Sequence, residues 1–164
     1  MKKANAPDLL IAKNADVQLT SGSGTAKRAA EVLIAKNAGF FVPSAKQKKN
    51  LVVAFAKRDM VVYGKAFDIV RLSDLIDLDS LDAVEENLDK IQIFEIKSTR
   101  KDLPADFSGY FFALTAAEVL VAQSLKKYFK FIFVNVNTGA FLEMDMREIF
   151  ARSRGIYPTW SILF

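Results

Sequence analysis

The chain of 164 residues contains no cysteine and no histidine. These two absences remove whole classes of chemistry. Zinc sites built on thiolate or imidazole, haem ligation, disulfides, and Ser-His-Asp or Cys-His nucleophiles are all excluded. Any catalysis must rest on Asp, Glu, Lys, Arg, Tyr, Ser or Thr. Any metal held by side chains must be a hard, oxygen-liganded cation such as magnesium, manganese or calcium. No apolar stretch approaches the ~18–20 residues that a membrane span needs. No signal-type apolar core follows Met1-Lys2-Lys3, because Asn5, Pro7 and Asp8 interrupt it. The sequence therefore reads as cytoplasmic, with no membrane partner.

What is present is a globular composition. Apolar residues make up 51% of the chain and include 14 Phe, which is enough to bury a core, so disorder is excluded for most of the length. The length suits one domain. The net charge of +4 conceals an asymmetry. Segment 73–90 holds Asp74, Asp77, Asp79, Asp82, Glu85, Glu86 and Asp89 against a single base, Lys90. Without that segment the chain has 22 basic and 12 acidic residues. A basic body with one acidic excursion suggests an anionic partner, nucleic acid first among them. A solvated basic surface is the alternative.

Residues 1–24 form a polar segment ahead of a single domain over 25–164. Ser21-Gly22-Ser23-Gly24 is a flexible break, and Thr25 stands where a helix cap belongs. Ala29, Ala30, Leu33, Ile34 and Ala38 then fall at helical spacing until Gly39. Residues 40–42 read as a short strand and 45–50 as a basic loop. Residues 51–56, 60–63 and 66–72 read as successive strands, with Gly64-Lys65 as a tight turn. Leu81, Val84 and Leu88 give the acidic segment one apolar helical face. Residues 90–97 are the clearest strand, followed by a polar loop and a strand over 110–114. Thr115 and Glu118 have capping-box spacing and open a helix that runs to about residue 128. Strands over 129–136 and 140–144, a helix over 145–153 and a strand over 159–164 complete the chain. The expected fold class is α/β (α+β), a mixed sheet with helices on its faces.

Two strands carry charges that a buried strand should not contain. In residues 90–97 (KIQIFEIK), Ile91, Ile93, Phe94 and Ile96 make both faces apolar, as in a central strand. Glu95 and Lys97 are two apart and share a face. Burying both unpaired is costly, so either they pair with each other or they meet a ligand or metal at the open end of the sheet. Asp68 poses the same problem within residues 66–72 (AFDIVRL). If the two strands are neighbours, Asp68 and Glu95 converge. Two carboxylates at one point repel each other unless a divalent cation lies between them. Lys97 beside that cation would position an attacking water. Asp, Glu and Lys suffice for metal-assisted phosphodiester hydrolysis without histidine.

Gly64-Lys65-Ala66-Phe67-Asp68-Ile69-Val70, followed by Ile91-Gln92-Ile93-Phe94-Glu95-Ile96-Lys97-Ser98, resembles the PD-(D/E)xK nuclease superfamily. In that family an Asp on one strand and an acid-x-Lys on the next form the metal site. The resemblance extends over residues 24–136 in the order of elements. It implies a restriction-endonuclease-like mixed central sheet flanked by helices. It implies Asp68, Glu95 and Lys97 as catalytic residues, with Mg2+ or Mn2+ held by Asp68 and Glu95. Glu31, in the first helix, matches the family's further metal ligand in place. Phe67 stands where the family usually has Pro, and Asp59 and Asp77 are rival occupants of the Asp68 role.

Ser98, Thr99, Arg100 and Lys101 place hydroxyls and bases just beyond the acid-x-Lys pair, where phosphate contacts are expected, and Lys46, Lys48 and Lys49 add to them. The combined reading is a magnesium-dependent deoxyribonuclease, of the type II restriction kind. It would act as a homodimer, because a small chain needs two sites to cut both strands. Two alternatives stay open: a nuclease-like domain that binds DNA without cutting it, and an interaction module in which Glu95 and Lys97 only pair.

Overall fold

Two antiparallel pairings, one parallel and a final antiparallel one join five strands into a sheet whose spatial order follows the chain. The computed structural model describes residues 24–36 and 38–157. The sequence reading of residues 1–23, and of a strand over 159–164, falls outside these residues. Residues 24–34 form helix α1. At Gly39 the chain turns with φ +75°, and an added Cβ would lie 2.5 Å from the Leu72 carbonyl oxygen. Only glycine tolerates both that conformation and that approach. Strand β1 follows (Phe40–Phe41), then helix α2 (Ala45–Ala56), strand β2 (Ile69–Leu72), helix α3 (Leu81–Glu86) and strand β3 (Ile91–Thr99). Helix α4 (Ala116–Leu125) carries the chain across to strand β4 (Phe129–Asn135), and strand β5 (Phe141–Met144) and helix α5 (Met146–Arg152) complete it. The parallel β3–β4 pair requires such a crossover, because parallel neighbours cannot be joined by a hairpin.

The segment expected as a basic loop and a strand, 45–56, is instead the single helix α2. Ser44 accepts from the Gln47 N–H while the Gln47 side chain accepts from the Ser44 N–H, a reciprocal cap that opens the helix. Leu51, Ala54 and Phe55 then point inward at helical spacing. An apolar run of six fits a strand or a helix turn equally, and the cap decides between them. The strand expected over 60–63 is also absent. The Met60 N–H returns to the Phe55 carbonyl and the Val61 N–H goes to Ser124 Oγ, so neither joins the ladder. The strand expected over 66–72 is shorter, with 66–68 irregular and β2 beginning at Ile69. Residues 110–114 are irregular as well. They are held by the Tyr110 hydroxyl, which donates to the Ser98 carbonyl, and by rings of Tyr110 and Phe112 against Phe133.

Each face of the sheet has its own core. Ala29, Ala30 and Leu33 of α1 cover Ile69, Phe94, Ile96, Ile132 and Val134 on one face. Helices α2, α4 and α5 cover Ile91, Ile93, Phe129, Phe131 and Phe133 on the other. Even positions of β3 thus face α1 and odd positions face α4, the period-2 alternation of a strand. Burying each large aromatic of this kind contributes about 1.5–3 kcal/mol.

Part of the acidic excursion is answered within the molecule. Asp74 pairs with Lys90, Asp79 with Lys46, Glu85 with Lys57, and Asp89 with Arg58 and Lys127. Such exposed pairs contribute little each, but they occupy bases that composition alone leaves facing a partner. No helix among the described residues is long and apolar enough to cross a membrane.

Candidate functional site

β2 and β3 run antiparallel with Ile69 opposite Phe94, so Asp68 arrives opposite Glu95. The Asp68 N–H donates to the Phe94 carbonyl at 2.9 Å. Its Oδ2 accepts from the Ile96 N–H at 3.1 Å. The side chain thereby takes the rung that the next residue of the ladder would have supplied. This fixes the carboxylate at the end of the strand pair.

Glu95 and Lys97 project from β3 toward α4, where their side chains are 11% and 12% exposed. Lys97 Nζ donates to Glu95 Oε1 at 3.2 Å and to Glu118 Oε2 at 2.7 Å. Glu118 is itself buried. Its Oε2 also accepts from the Thr115 N–H at 3.1 Å, while the Thr115 hydroxyl accepts from the Glu118 N–H at 3.2 Å. Two carboxyl groups, Glu95 and Glu118, therefore share one ammonium. The Glu95 carboxyl is pushed up to about 9, first by burial and next by the Asp68 charge. Lys97 opposes the rise, and Glu118 adds to it through its charge and a hydrogen bond. Asp68, rather than Asp59 or Asp77, is the aspartate whose charge reaches Glu95.

The other expected site residues are more dispersed. Glu31 is exposed on α1. It lines a groove of about 540 Å³ with Asp68 and Ile96, on the face of β3 opposite the Glu95 and Lys97 side chains. The structure therefore does not bring Glu31 together with Glu95. Lys46 pairs with Asp79 at 3.5 Å, and Lys49 is exposed. Thr99 is buried and its hydroxyl accepts from the Lys101 N–H, so it shapes the turn. Ser98 is partly buried, whereas Arg100 and Lys101 are exposed. The carbonyls of those two bases are held by Asn137 and Asn135, so the end of β4 and the turn after it anchor the loop that presents them.

Lys48 has a different place from the one its charge suggested. Its Nζ donates to the Phe67 carbonyl at 2.6 Å and to the Gly64 carbonyl at 3.3 Å. It also lies 4.7 Å from the centroid of the Phe67 ring. Lys48 thus ties α2 to the turn that delivers Asp68. Hydrogen bonds from a charged donor contribute more than neutral ones. Lys48→Met is expected to lower stability by about 1–3 kcal/mol, and Lys49→Met by less than about 0.5 kcal/mol. Urea denaturation of the two variants checks this, and equal losses would dismiss the tether.

Asp68 and Glu95 are hard oxygen donors close enough for the Asp68 charge to raise the Glu95 carboxyl, although Asp68 also lines the groove on the α1 face. Among the described residues, no three acidic side chains are gathered as a ready set of metal ligands. Magnesium does not need such a set. It commonly takes one or two protein carboxylates and completes its shell with water and substrate phosphate. The Glu95 carboxyl is raised first by burial and next by the Asp68 charge, and a divalent cation beside the two carboxyls would offset the second of these. The donor chemistry of the pair fits a hard cation.

By its spacing from Thr115, Glu118 reads in the sequence as a helix cap alone. A signal was present, since it is the one acid within AAEVLVAQSL, a helix otherwise rich in apolar residues. No protein-family model, curated protein or solved structure matches the chain, so the site geometry carries the functional argument.

Proposed function

We propose that the protein is a metal-dependent endonuclease that hydrolyses DNA phosphodiester bonds, of restriction-endonuclease-like fold. The observation that carries this reading is the anchoring of Asp68, just ahead of β2, on the Ile96 N–H of β3, between Glu95 and its partner Lys97 in the chain, with the Asp68 charge acting on Glu95. Asp68 and Glu95 would hold Mg2+ or Mn2+. When bound, the cation supplies charge stabilisation to the phosphate and lowers the cost of ionising a water. Lys97 donates hydrogen bonds, so its part would be to orient that water and to offset charge as the water oxygen bonds to phosphorus, its proton passes to solvent, the ester P–O bond breaks and the leaving oxygen takes a proton from solvent. Arg100 and Lys101 stand three and four residues beyond Lys97 and face solvent, where they would contact the flanking backbone. Two copies of the chain would cut two strands.

A second reading, a nuclease-like domain that binds DNA without cutting it, is favoured by the near-complete burial of Glu95 and Lys97 and by the saturation of Lys97 with carboxylate partners. One assay separates the two. Supercoiled plasmid is incubated with the protein and magnesium, and DNA retention is measured in parallel over a salt series. The nuclease reading expects nicked and linear products that vanish with chelator and in Asp68→Asn. Retention that falls with salt, with no product and no divalent-ion requirement, supports the second reading instead.

A further inference from the structure

Helix α4 has no expected part in the site beyond covering it, yet its first turn reaches Lys97. The ammonium of Lys97 has two carboxylate partners, and the shorter contact is to Glu118 at 2.7 Å rather than to Glu95 at 3.2 Å. Glu118 is in turn fixed from both ends by Thr115: Oε2 accepts from the Thr115 N–H and the Glu118 N–H donates to the Thr115 hydroxyl. A capping box normally ends with the Glu carboxylate turned back on the N-cap N–H. Here the same oxygen also takes the lysine. We infer that Glu118 is a positioning residue for Lys97, fixing its ammonium from helix α4 so that Glu95 is free to serve a cation. The inference rests on the nuclease reading for its catalytic consequence. Its geometric part, that Glu118 locks Lys97, stands apart from that reading.

The functional logic follows from competition for Glu95. In the structure, Glu95 Oε1 accepts from Lys97, and an oxygen turned toward a cation would loosen that contact. A lysine on four rotatable bonds, if held by Glu95 alone and then released, would lose its direction. With Glu118 bearing on it from the opposite element, Lys97 keeps its place when Glu95 changes partner. The arrangement also links the two strands of the site to α4, the crossover that makes β4 parallel to β3.

The experiment compares wild type with Glu118→Gln and Glu118→Asp. Glutamine preserves the capping box but removes the charge opposite Lys97. Aspartate keeps the charge in the first helical turn but is one methylene too short to span Thr115 and Lys97. The first readout is NMR of the Lys97 ammonium, assigned by its loss in Lys97→Arg. A 1H–15N signal that survives solvent exchange is expected in wild type and absent in both Glu118 variants. The second readout is plasmid cleavage with magnesium, where kcat is expected to fall about 10–100-fold, the range typical of residues that orient a functional group, while KM for DNA stays within about threefold. Far-UV circular dichroism and melting confirm folding, and if Glu118→Gln unfolds, Glu118→Asp carries both readouts. A Lys97 signal unchanged in the folded variants overturns the inference outright. Equal cleavage by wild type and the folded variants overturns its catalytic part. If wild type cuts no DNA while the ammonium signal still depends on Glu118, the nuclease reading fails and the lock stands.

Discussion

Lys97→Met is expected to destabilise the fold by about 3–5 kcal/mol at neutral pH, the range found when one partner of a buried ion pair is removed. Methionine matches the lysine stem in length and apolar character, so packing changes little. The loss comes from what stays behind. Glu118 is buried and Glu95 nearly so, and Lys97 is the cation that touches both. Without it, the Thr115 N–H remains a donor to Glu118, but no positive charge faces the cluster from β3. The penalty should shrink in acid, where carboxylates take up protons and no longer need a counter-ion. Guanidinium denaturation at pH 7 and pH 4.5 measures both values. A difference below about 1 kcal/mol at pH 7 would show that water reaches the cluster and that burial here is only apparent. The same result bears on assay design: Lys97 variants must be checked for folding before lost cleavage is ascribed to chemistry, whereas Asp68→Asn retains an acceptor for the Ile96 N–H and is the cleaner test.

The parts of this architecture that were legible in the sequence are those where local pattern and tertiary environment agree. β3 and β4 are central strands, and their apolar residues on both faces announce that position. The Thr115–Glu118 box marks the start of α4 to the residue. The sequence reading makes the approach of Asp68 to Glu95 conditional on their strands being neighbours, and β2 and β3 are neighbours, paired antiparallel. α2 was not legible, because its lysines fall on the first turns and its apolar residues on the last, so that a loop and a strand describe its halves equally well. Lys48 was misread for a related reason: a lysine in a basic run looks solvated, and only the folded chain shows the Phe67 and Gly64 carbonyls it holds. Glu31 shows the limit of matching elements in order. Its helix is in the expected place in the chain, but Ala29, Ala30 and Leu33 of α1 pack on the even positions of β3, whereas the acid-x-Lys pair occupies odd ones. Strand parity cannot be read from element order. Glu118 is the converse case, a long-range partner hidden behind a complete local explanation.

The folding equilibrium is expected to become less favourable, relative to Glu95→Gln, as pH rises from about 4.5 toward about 9. The Glu95 carboxyl has an ordinary value of 4.5 and is raised to about 9 in the folded chain, first by burial and then by the Asp68 carboxylate. Below the lower value both folded and unfolded chains hold the proton, and the contribution to stability is fully present. Between the two values the folded chain holds a proton that the unfolded chain has released. Stability therefore falls with rising pH, by at most about a tenfold change in the folding constant per pH unit. Above the upper value the contribution is gone. Glutamine mimics the protonated carboxyl and carries no such dependence, so taking the difference between the two proteins cancels every other titrating group. Chemical denaturation at pH 5, 6, 7 and 8 checks it, and parallel curves for the two proteins would mean that Glu95 is ionised throughout. Divalent cations add a second arm to the same measurement. A cation at Asp68 and Glu95 competes with the Glu95 proton, so its stabilising effect should grow with pH over this window. In wild type the two trends oppose each other, and at sufficient magnesium the downward slope should flatten. In Glu95→Gln there is no proton to displace and one carboxylate fewer to bind, so magnesium should leave its curve almost unmoved. A cation effect of equal size in both proteins would place the metal somewhere other than beside Glu95.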